Sequence, residues 1–562
     1  MEGERRKRRL WTWLVALAVL GGLAAYNYWP GEPDKIIISR ETTYILGPLN
    51  ADGTPNYVKY LDDKCAEGVT AANNAAPLLL RAFGPDMLPD KIRAETLGRL
   101  NLPADIFDGD KHFIGWRGRA RPAKTDANAA GDANDPNSPT HTETDEDESA
   151  NEPNVNDVFE MLLAGQVHPD LEGWLASNAG PLELVSKATP RDKFYLPLVS
   201  NSTPPRMIDV LIPTLQGLQQ AAVALTARAI LKMMRDDPAG AWDDVLALHR
   251  LARLMGKDSP TLVQCMVAVG LEGIAARAGI VLATRRPMGA AQARDVLGKL
   301  NALALATDVV KSIDEGERFF GLDVAVRISR GNDIGELFSL SGGQATGSKV
   351  CLHTNQVLRE MNSWYDRMAR PMRLPRFQGR AEAQKAFEDE LTAFATQRGS
   401  RATPLRVGML KLGGRLTRQA LTDVISDCLV SVMMPSLAVV CDLEDHAKMI
   451  FEIETLAVAL ACFHAEHGRW PAELKELCPS LLKEIPADRF STSPLIYRPS
   501  EKGYLLYSVG RNLRDDGGQG EPRGSGKSSA DRKDDIVAEV KPAETASKPA
   551  ASRPAASHTH SN

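Results

Sequence analysis

Residues 241–255 read AWDDVLALHRLARLM, and this stretch decides the fold class. Its apolar residues recur every three or four positions, which places them on one face of an α-helix. The members of this apolar face are Ala241, Val245, Leu248, Ala252 and Met255. The residues expected on the opposite, solvent-facing side are Asp243, Asp244, Arg250 and Arg253. The pattern predicts an amphipathic helix that packs against neighbouring helices.

A second helix is predicted just before it, over residues 215–235. The intervening residues 236–240, DDPAG, are typical of a tight connection, so the two helices should form an αα-hairpin. Similar periodicity predicts further helices at 261–284, 289–306, 353–369, 380–397 and 416–434. We find no 34-residue recurrence, so an array of tetratricopeptide repeats is not indicated. The sequence therefore predicts a mainly α fold with a multi-helix body over residues 157–445.

The chain changes character in its C-terminal part, residues 446–540. A long apolar-striped helix is predicted to end at about His467, because Gly468 follows it. Three strands are predicted after that helix, at 494–497, 504–509 and 536–540. We expect a small α+β module in which the long helix packs on a three-stranded antiparallel sheet.

Several short motifs of this module resemble the C-terminal half of the major pseudopilin of type II secretion. They are HGRWP at 467–471, PADRF at 486–490, PLIY at 494–497, LYSVG at 506–510 and DDGG at 515–518. The resemblance implies a calcium-binding loop with Asp515, Asp516 and Asp535 as ligands, helped by backbone carbonyls near Ser508. Calcium takes six to eight oxygen ligands, so this set is chemically suitable. The alternative is that these aspartates are solvated loop residues.

The sequence also departs from the pseudopilin pattern. Asp488-Arg489-Phe490 stands where the family has Asp-Pro-aromatic, and residues 521–529 lengthen the loop. The N-terminus lacks the Gly-Phe-Thr-Leu-x-Glu leader that prepilin peptidase cuts, so a pilus subunit is not expected. The layout of the whole chain, including GVT at 68–70 and NNAA at 73–76, resembles a family of exported, membrane-anchored bacterial proteins without an assigned function.

An uncharged run over residues 10–29 follows the basic residues Arg5 to Arg9. Twenty helical residues span roughly 30 Å, the thickness of the hydrocarbon core of a bilayer. Aromatic residues lie at both ends of the run, as in interfacial belts, and the basic residues 1–9 should stay in the cytoplasm. We expect a signal anchor that crosses the cytoplasmic (inner) membrane once and leaves the bulk of the chain extracytoplasmic, in the periplasm. The alternative is a signal peptide cleaved near Gly22-Leu23-Ala24.

Three further segments complete the predicted layout. Residues 35–121 form an N-terminal α/β segment in which 36–38 and 42–46 read as short strands. Residues 122–156 form a disordered acidic linker, and residues 541–562 form a disordered tail.

The composition argues against several classes of function. A formal net charge of −5 does not suit a nucleic-acid-binding protein. The loop GGQATGSK at 342–349 lacks the Gly-Lys-Ser/Thr order of a nucleotide-binding loop, so no nucleotide is expected. His464 and His467 lie one helical turn apart, but no further metal ligands are indicated beside them.

No catalytic motif occurs, so no catalytic residue is assigned and no enzyme is expected. We expect a membrane-anchored extracytoplasmic scaffold or interaction protein with protein partners in the cell envelope. The alternatives are an accessory component of a type II secretion or pilus-like system, and an extracytoplasmic hydrolase without a recognisable motif.

Overall fold

The computed structural model describes most of the chain between residues 34 and 541. The described residues are 15, 17–22, 34–116, 153–210, 216–303, 308–330, 352–374, 379–398, 417–434, 438–491, 493–520 and 533–541. Most of the predicted anchor, the predicted linker up to residue 152, the loop at 342–349 and the predicted tail after Lys541 lie outside this set.

The described chain is mainly helical, as the sequence predicted. The N-terminal helices are α1 (Tyr57–Ala66), α2 (Ala76–Phe83), α3 (Asp90–Arg99), α4 (Val155–Ala164), α5 (Leu171–Ser177) and α6 (Ala179–Ala188). The central helices are α7 (Gln216–Met234), α8 (Pro238–Lys257), α9 (Leu262–Arg285) and α10 (Ala290–Asn301). They are followed by α11 (Val309–Ser312), a π-helical turn (Ile313–Glu317), α12 (Arg318–Ser329), α13 (Thr354–Met372), α14 (Ala381–Arg398), α15 (Arg418–Met433) and α16 (Ala438–His467).

Helices α7 and α8 form the predicted αα-hairpin. Asp237 begins α8, because its side chain accepts a hydrogen bond from the backbone N–H of Gly240 and Pro238 occupies the first helical position. The five residues of the predicted apolar face are all buried. Two residues predicted to face solvent are buried instead: Asp244 is only 4% exposed and Arg253 only 8%. Both form ion pairs with neighbouring helices, which offset the cost of burying their charge.

The N-terminal segment differs from its prediction. Residues 34–50 form no strand, although 36–38 and 42–46 are rich in β-branched residues. The hydroxyl of Thr43 donates to the carbonyl of Ser39 at 3.1 Å and to that of Ile45 at 2.8 Å. These side-chain contacts favour a compact turn around residues 39–44 over an extended pair of strands.

A small antiparallel sheet lies near the C-terminus, as predicted. Its strands are β1 (Ile496–Ser500), β2 (Gly503–Ser508) and β3 (Ile536–Val540), in the order β1-β2-β3. Strand β2 is central and pairs Tyr507 with Ile496 on one side and with Val537 on the other. Strands β2 and β3 pack on α16, and β3 also contacts α9.

Two hydrophobic cores organise the described residues. One contains α2, α7, α8, the sheet and the C-terminal part of α16, and the other contains α1, α12, α13 and α15. Helix α16 contributes to both, with Cys441 and Ala447 in the second core and Ile453 and Leu456 in the first. The predicted boundary between residues 445 and 446 therefore falls inside a continuous helix that connects the two cores.

Among the described residues, α9 is the one helix long and apolar enough to cross a membrane, with a mean hydropathy of 1.8 in its most apolar window. Most of that window, 61%, is buried inside the protein. Helix α9 packs against both α8 and α16, which is the environment of a core helix.

Candidate functional site

A buried charge cluster lies where α8, α9 and α16 meet. Its central residue is His249, whose side chain is fully buried. The ring atom Nδ1 lies 3.3 Å from Glu272 Oε1, and Nε2 lies 3.3 Å from Glu454 Oε1. Arg253 adds two hydrogen bonds to Glu272, from Nε at 3.0 Å and from Nη2 at 2.6 Å. The four side chains hold three helices together through charge-assisted hydrogen bonds.

The helix geometry explains why these groups meet. His249 and Arg253 lie one helical turn apart on α8, so both reach Glu272 on α9. Gly279 on α9 provides the space for Glu454, because a Cβ atom at this glycine would overlap the Glu454 carboxylate. Because Gly279 on α9 has no side chain, the carboxylate of Glu454 on α16 fits against this helix.

The charges of the cluster shift the pKa values of its members. Burial by itself would lower the pKa of His249, but the carboxylates of Glu454 and Glu272 together raise it to about 10. Burial would raise the pKa of Glu272, but His249 and Arg253 hold it at about 2. Burial raises the pKa of Glu454 despite the neighbouring His249. The imidazolium form of His249 is thus the form that the cluster stabilises at neutral pH.

A cavity of about 670 Å³ lies next to this cluster. Arg253 and Glu272 of the cluster line this cavity, whereas His249 does not; the ring of Phe451 contacts His249 and Arg253 and also lines the cavity. The apolar lining residues are Val269, Leu300, Leu303, Ala447, Phe451, Leu456, Leu482 and Pro486. The exposed lining residues form its mouth: Asn301, Asp308, Lys483 and Glu484.

Charged side chains in the cavity wall are paired with one another. Arg253 is bound to Glu272, as described above. Arg489 donates from Nε to Glu452 Oε1 at 3.0 Å. Lys448 Nζ lies 2.9 Å from Glu444 Oε1. Burial raises the pKa of Glu452 in spite of Arg489. The wall therefore combines apolar side chains with charged side chains that are paired with one another.

The three predicted calcium ligands lie in one loop region after β2 and before β3. Asp515 accepts a hydrogen bond from the Tyr507 hydroxyl at 2.9 Å and another from the Gly517 N–H at 2.8 Å. Asp535 accepts from the backbone N–H of Gly518 at 2.8 Å and from that of Asp516 at 3.4 Å. The structure thus brings Asp516 and Asp535 together.

These carboxylates are engaged with hydrogen-bond donors. Asp516 accepts from the side chain of Asn512 at 2.8 Å and from the Asp534 N–H at 2.9 Å. Within the described parts of the chain, no group of three or more His, Cys, Asp or Glu side chains has a geometry that could hold a metal ion. The described aspartates accept hydrogen bonds within the loop, and calcium binding stays a prediction.

The two histidines at the end of α16 stack on aromatic rings instead of converging. His464 lies over Trp470 with ring centroids 4.2 Å apart, and His467 lies over Phe463 at 4.1 Å.

Sequence reasoning missed both the charge cluster and the cavity. The available signal was a charged residue inside an otherwise apolar helical face, which applies to Glu272 in α9 and to Glu454 in α16. Such residues are buried only when they are paired, so each one implies a partner elsewhere in the chain. The sequence does not reveal which partner.

In comparisons with known proteins, no family model, curated protein or solved structure matches the chain.

Proposed function

We propose that this chain is a non-enzymatic scaffold or interaction protein, held to the inner membrane by its N-terminal segment with its body outside the cytoplasm. The observation that supports it comes from residues 15 and 17–22, which are helical. Val15, Leu17, Val19 and Leu20 each expose more than half of their surface. A helix turn with this many exposed apolar side chains is suited to a lipid environment.

Alkaline carbonate extraction of cell membranes tests the anchor. The full chain is expected to remain in the membrane pellet, whereas Leu17→Lys combined with Leu20→Lys should release it, because two charges in a span disfavour insertion. Val263→Lys serves as the control, since Val263 is similarly exposed but lies on α9 of the body. Release of the unaltered chain by carbonate would contradict the proposal, as would a C-terminal alkaline phosphatase fusion that is inactive.

The packing of the body supports the scaffold part of the proposal. Its helices and sheet share continuous cores, and the charged residues around the cavity are paired with each other instead of being held ready for proton transfer. Pull-down of the full chain from solubilised membranes is expected to recover a reproducible envelope partner. Recovery of the chain alone would contradict an interaction role.

An accessory role in a type II secretion or pilus-like system is a narrower form of this proposal. It rests on the C-terminal arrangement of a long helix and an antiparallel three-stranded sheet, together with the sequence motifs quoted above. Co-purification with pseudopilins would favour this role, and partners unrelated to secretion would exclude it.

Calcium belongs to the same proposal. Thermal melting of the full chain with calcium and with chelator is the test, using Asp535→Asn and the exposed turn variant Glu501→Gln as its control. A calcium-dependent rise in melting temperature that only Asp535→Asn abolishes would support calcium. Equal melting in calcium and chelator would remove calcium from the proposal.

A hydrolase is the second candidate, because the cavity wall contains Glu272, Glu444 and Glu452, and Glu272 also contacts the buried His249. His249 itself does not reach the cavity, and both its ring nitrogens are engaged. Turnover of an ester or peptide substrate that Glu452→Gln abolishes would favour this candidate over the scaffold.

A further inference from the structure

The cavity between α9, α10, α16 and residues 482–489 has the dimensions of a ligand site. Its volume of about 670 Å³ falls in the range of roughly 300–1,000 Å³ that is usual for small-molecule pockets. The deep part is formed by buried apolar residues, notably Leu300, Ala447 and Leu456. Binding of an apolar molecule there would transfer its apolar surface from water to an apolar environment, which is favourable.

The wall charges limit the charge that a ligand can carry. The three pairs Arg253–Glu272, Arg489–Glu452 and Lys448–Glu444 leave the wall without an excess of either sign. A charged group inserted between them would have to separate an existing pair, which exposes a partly buried charge at a considerable cost. At the mouth, the described lining includes Lys483 together with the acidic Glu484 and Asp308, so these described residues carry no positive excess.

We propose that this cavity binds an uncharged, mainly apolar small molecule with one polar end, such as a long-chain alcohol. The apolar part would lie against Phe451, Leu456 and Leu482, and the polar end would face the exposed Asn301 and Lys483 at the mouth. This binding site is independent of the membrane-anchoring proposal, because all the residues that form it belong to the helical body and the segment after α16.

Thr455 offers a way to fill the cavity without removing a contact between helices. Its hydroxyl donates to the Phe451 carbonyl of its own helix at 2.9 Å, and its side chain lines the cavity. Thr284 on α9 is a matched control, since its hydroxyl makes the same kind of bond to Ile280 at 2.7 Å and it does not line the cavity. Thr455→Trp should therefore occupy the ligand space, and Thr284→Trp should not.

The test is photolabelling of the full chain in lipid nanodiscs with a diazirine-bearing long-chain alcohol, followed by peptide mapping. Labels are expected on peptides that contain residues 447–456 and 482–486, separate from any lipid-phase label in residues 10–29. We expect at least a fivefold decrease of the cavity label in Thr455→Trp and no decrease in Thr284→Trp. An excess of unlabelled alcohol should compete for the label in the unaltered chain, which keeps the test decisive even if Thr455→Trp does not fold.

Label that is absent from the cavity peptides, or that the unlabelled alcohol does not displace, overturns the proposal. Equal labelling of Thr455→Trp and Thr284→Trp overturns it as well. Equal or stronger labelling by the carboxylate analogue of the same probe overturns the assignment of an uncharged ligand.

Discussion

Gly279 is the residue on which the charge cluster depends most directly. It lies on α9 opposite Glu454 of α16, and a Cβ atom there would overlap the Glu454 carboxylate. Two packed helices at this point leave no room for the carboxylate to move aside, since the side chain of Glu454 is fully buried. Gly279 is therefore needed so that the Glu454 side chain can lie close to α9, and not for backbone flexibility.

We predict that Gly279→Ala destabilises the protein by about 1–3 kcal/mol, the usual cost of overpacking a core. Gly273 lies on the same helix, and a Cβ atom there would meet no neighbouring side chain within 4 Å, so Gly273→Ala is the control. That control should be neutral or stabilising, because alanine favours helix by up to about 1 kcal/mol over glycine. Denaturant unfolding measures the unfolding free energy of both variants. Equal changes in Gly279→Ala and Gly273→Ala would contradict the predicted overlap between a Cβ atom at position 279 and Glu454.

A pH dependence is expected from His249. Its pKa in the folded protein is about 10, above its ordinary value of 6.5, because Glu454 and Glu272 stabilise the protonated ring. A raised pKa contributes stability that is fully present below pH 6.5 and is lost as the pH rises toward 10. Glu272 acts at acidic pH, because its pKa in the folded protein is about 2, below its ordinary value of 4.5. Its contribution to stability is present above pH 4.5 and is lost as the pH falls toward 2.

The variant His249→Gln removes the titrating group while keeping a polar side chain. We predict that the difference in unfolding free energy between the unaltered chain and His249→Gln shrinks by on the order of 4 kcal/mol between about pH 6 and pH 10. Chemical denaturation at each pH measures this difference. A difference that does not shrink over this range would show that the pKa of His249 is not raised in the folded protein.

At the scale of elements, the hairpin of α7 and α8 is joined by a buried carboxylate. Asp244 on α8 lies 2.6 Å from Arg228 Nη2 and 2.8 Å from Lys232 Nζ, both on α7. Its neighbour Asp243 is exposed. The apolar stripe fixes which face of α8 is buried, and Asp244 connects that face to the preceding helix.

We predict that Asp244→Asn destabilises the protein by about 3 kcal/mol, because it leaves two partly buried cations without their carboxylate. Asp243→Asn is the matched control and should change stability by no more than about 0.5 kcal/mol. Thermal unfolding of the two variants side by side tests the assignment, and a similar effect of both would contradict it.

On the scale of the whole molecule, α16 holds the described structure together. Its first turns contribute to one hydrophobic core and its later turns to the other, and the sheet packs on its C-terminal part. The residues Ile453, Leu456 and Leu460 are fully buried among helices from elsewhere in the chain. The described residues of the C-terminal module therefore share a hydrophobic core with helices of the body.

We predict that a fragment of residues 446–541 does not unfold cooperatively, because its long helix would expose the face that α9 and α10 cover. Circular dichroism during heating measures this. A chain that ends at Lys541 is the control and should melt as the full chain does, since it keeps every described element. A cooperative melt of the isolated fragment would show instead that the module is an independent domain.

The sequence by itself determined the helical class, the αα-hairpin of α7 and α8 and the presence of the three C-terminal strands. These features depend on local periodicity and on turn residues such as Pro238 and Gly468, which act over a few positions. Periodicity also indicated which face of α8 is buried. It failed for residues 36–46, where side-chain hydroxyls compete with strand formation.

Only the tertiary structure decided where charges are buried and where space remains. Asp244, Arg253 and Glu272 are polar in the sequence, yet each is buried because an opposite charge from another helix lies within hydrogen-bond reach. His249 and Glu454 are separated by 205 positions, and no local pattern can pair them. The cavity likewise exists only where α9, α10 and α16 converge, since its lining comes from segments that are adjacent in space and not in sequence.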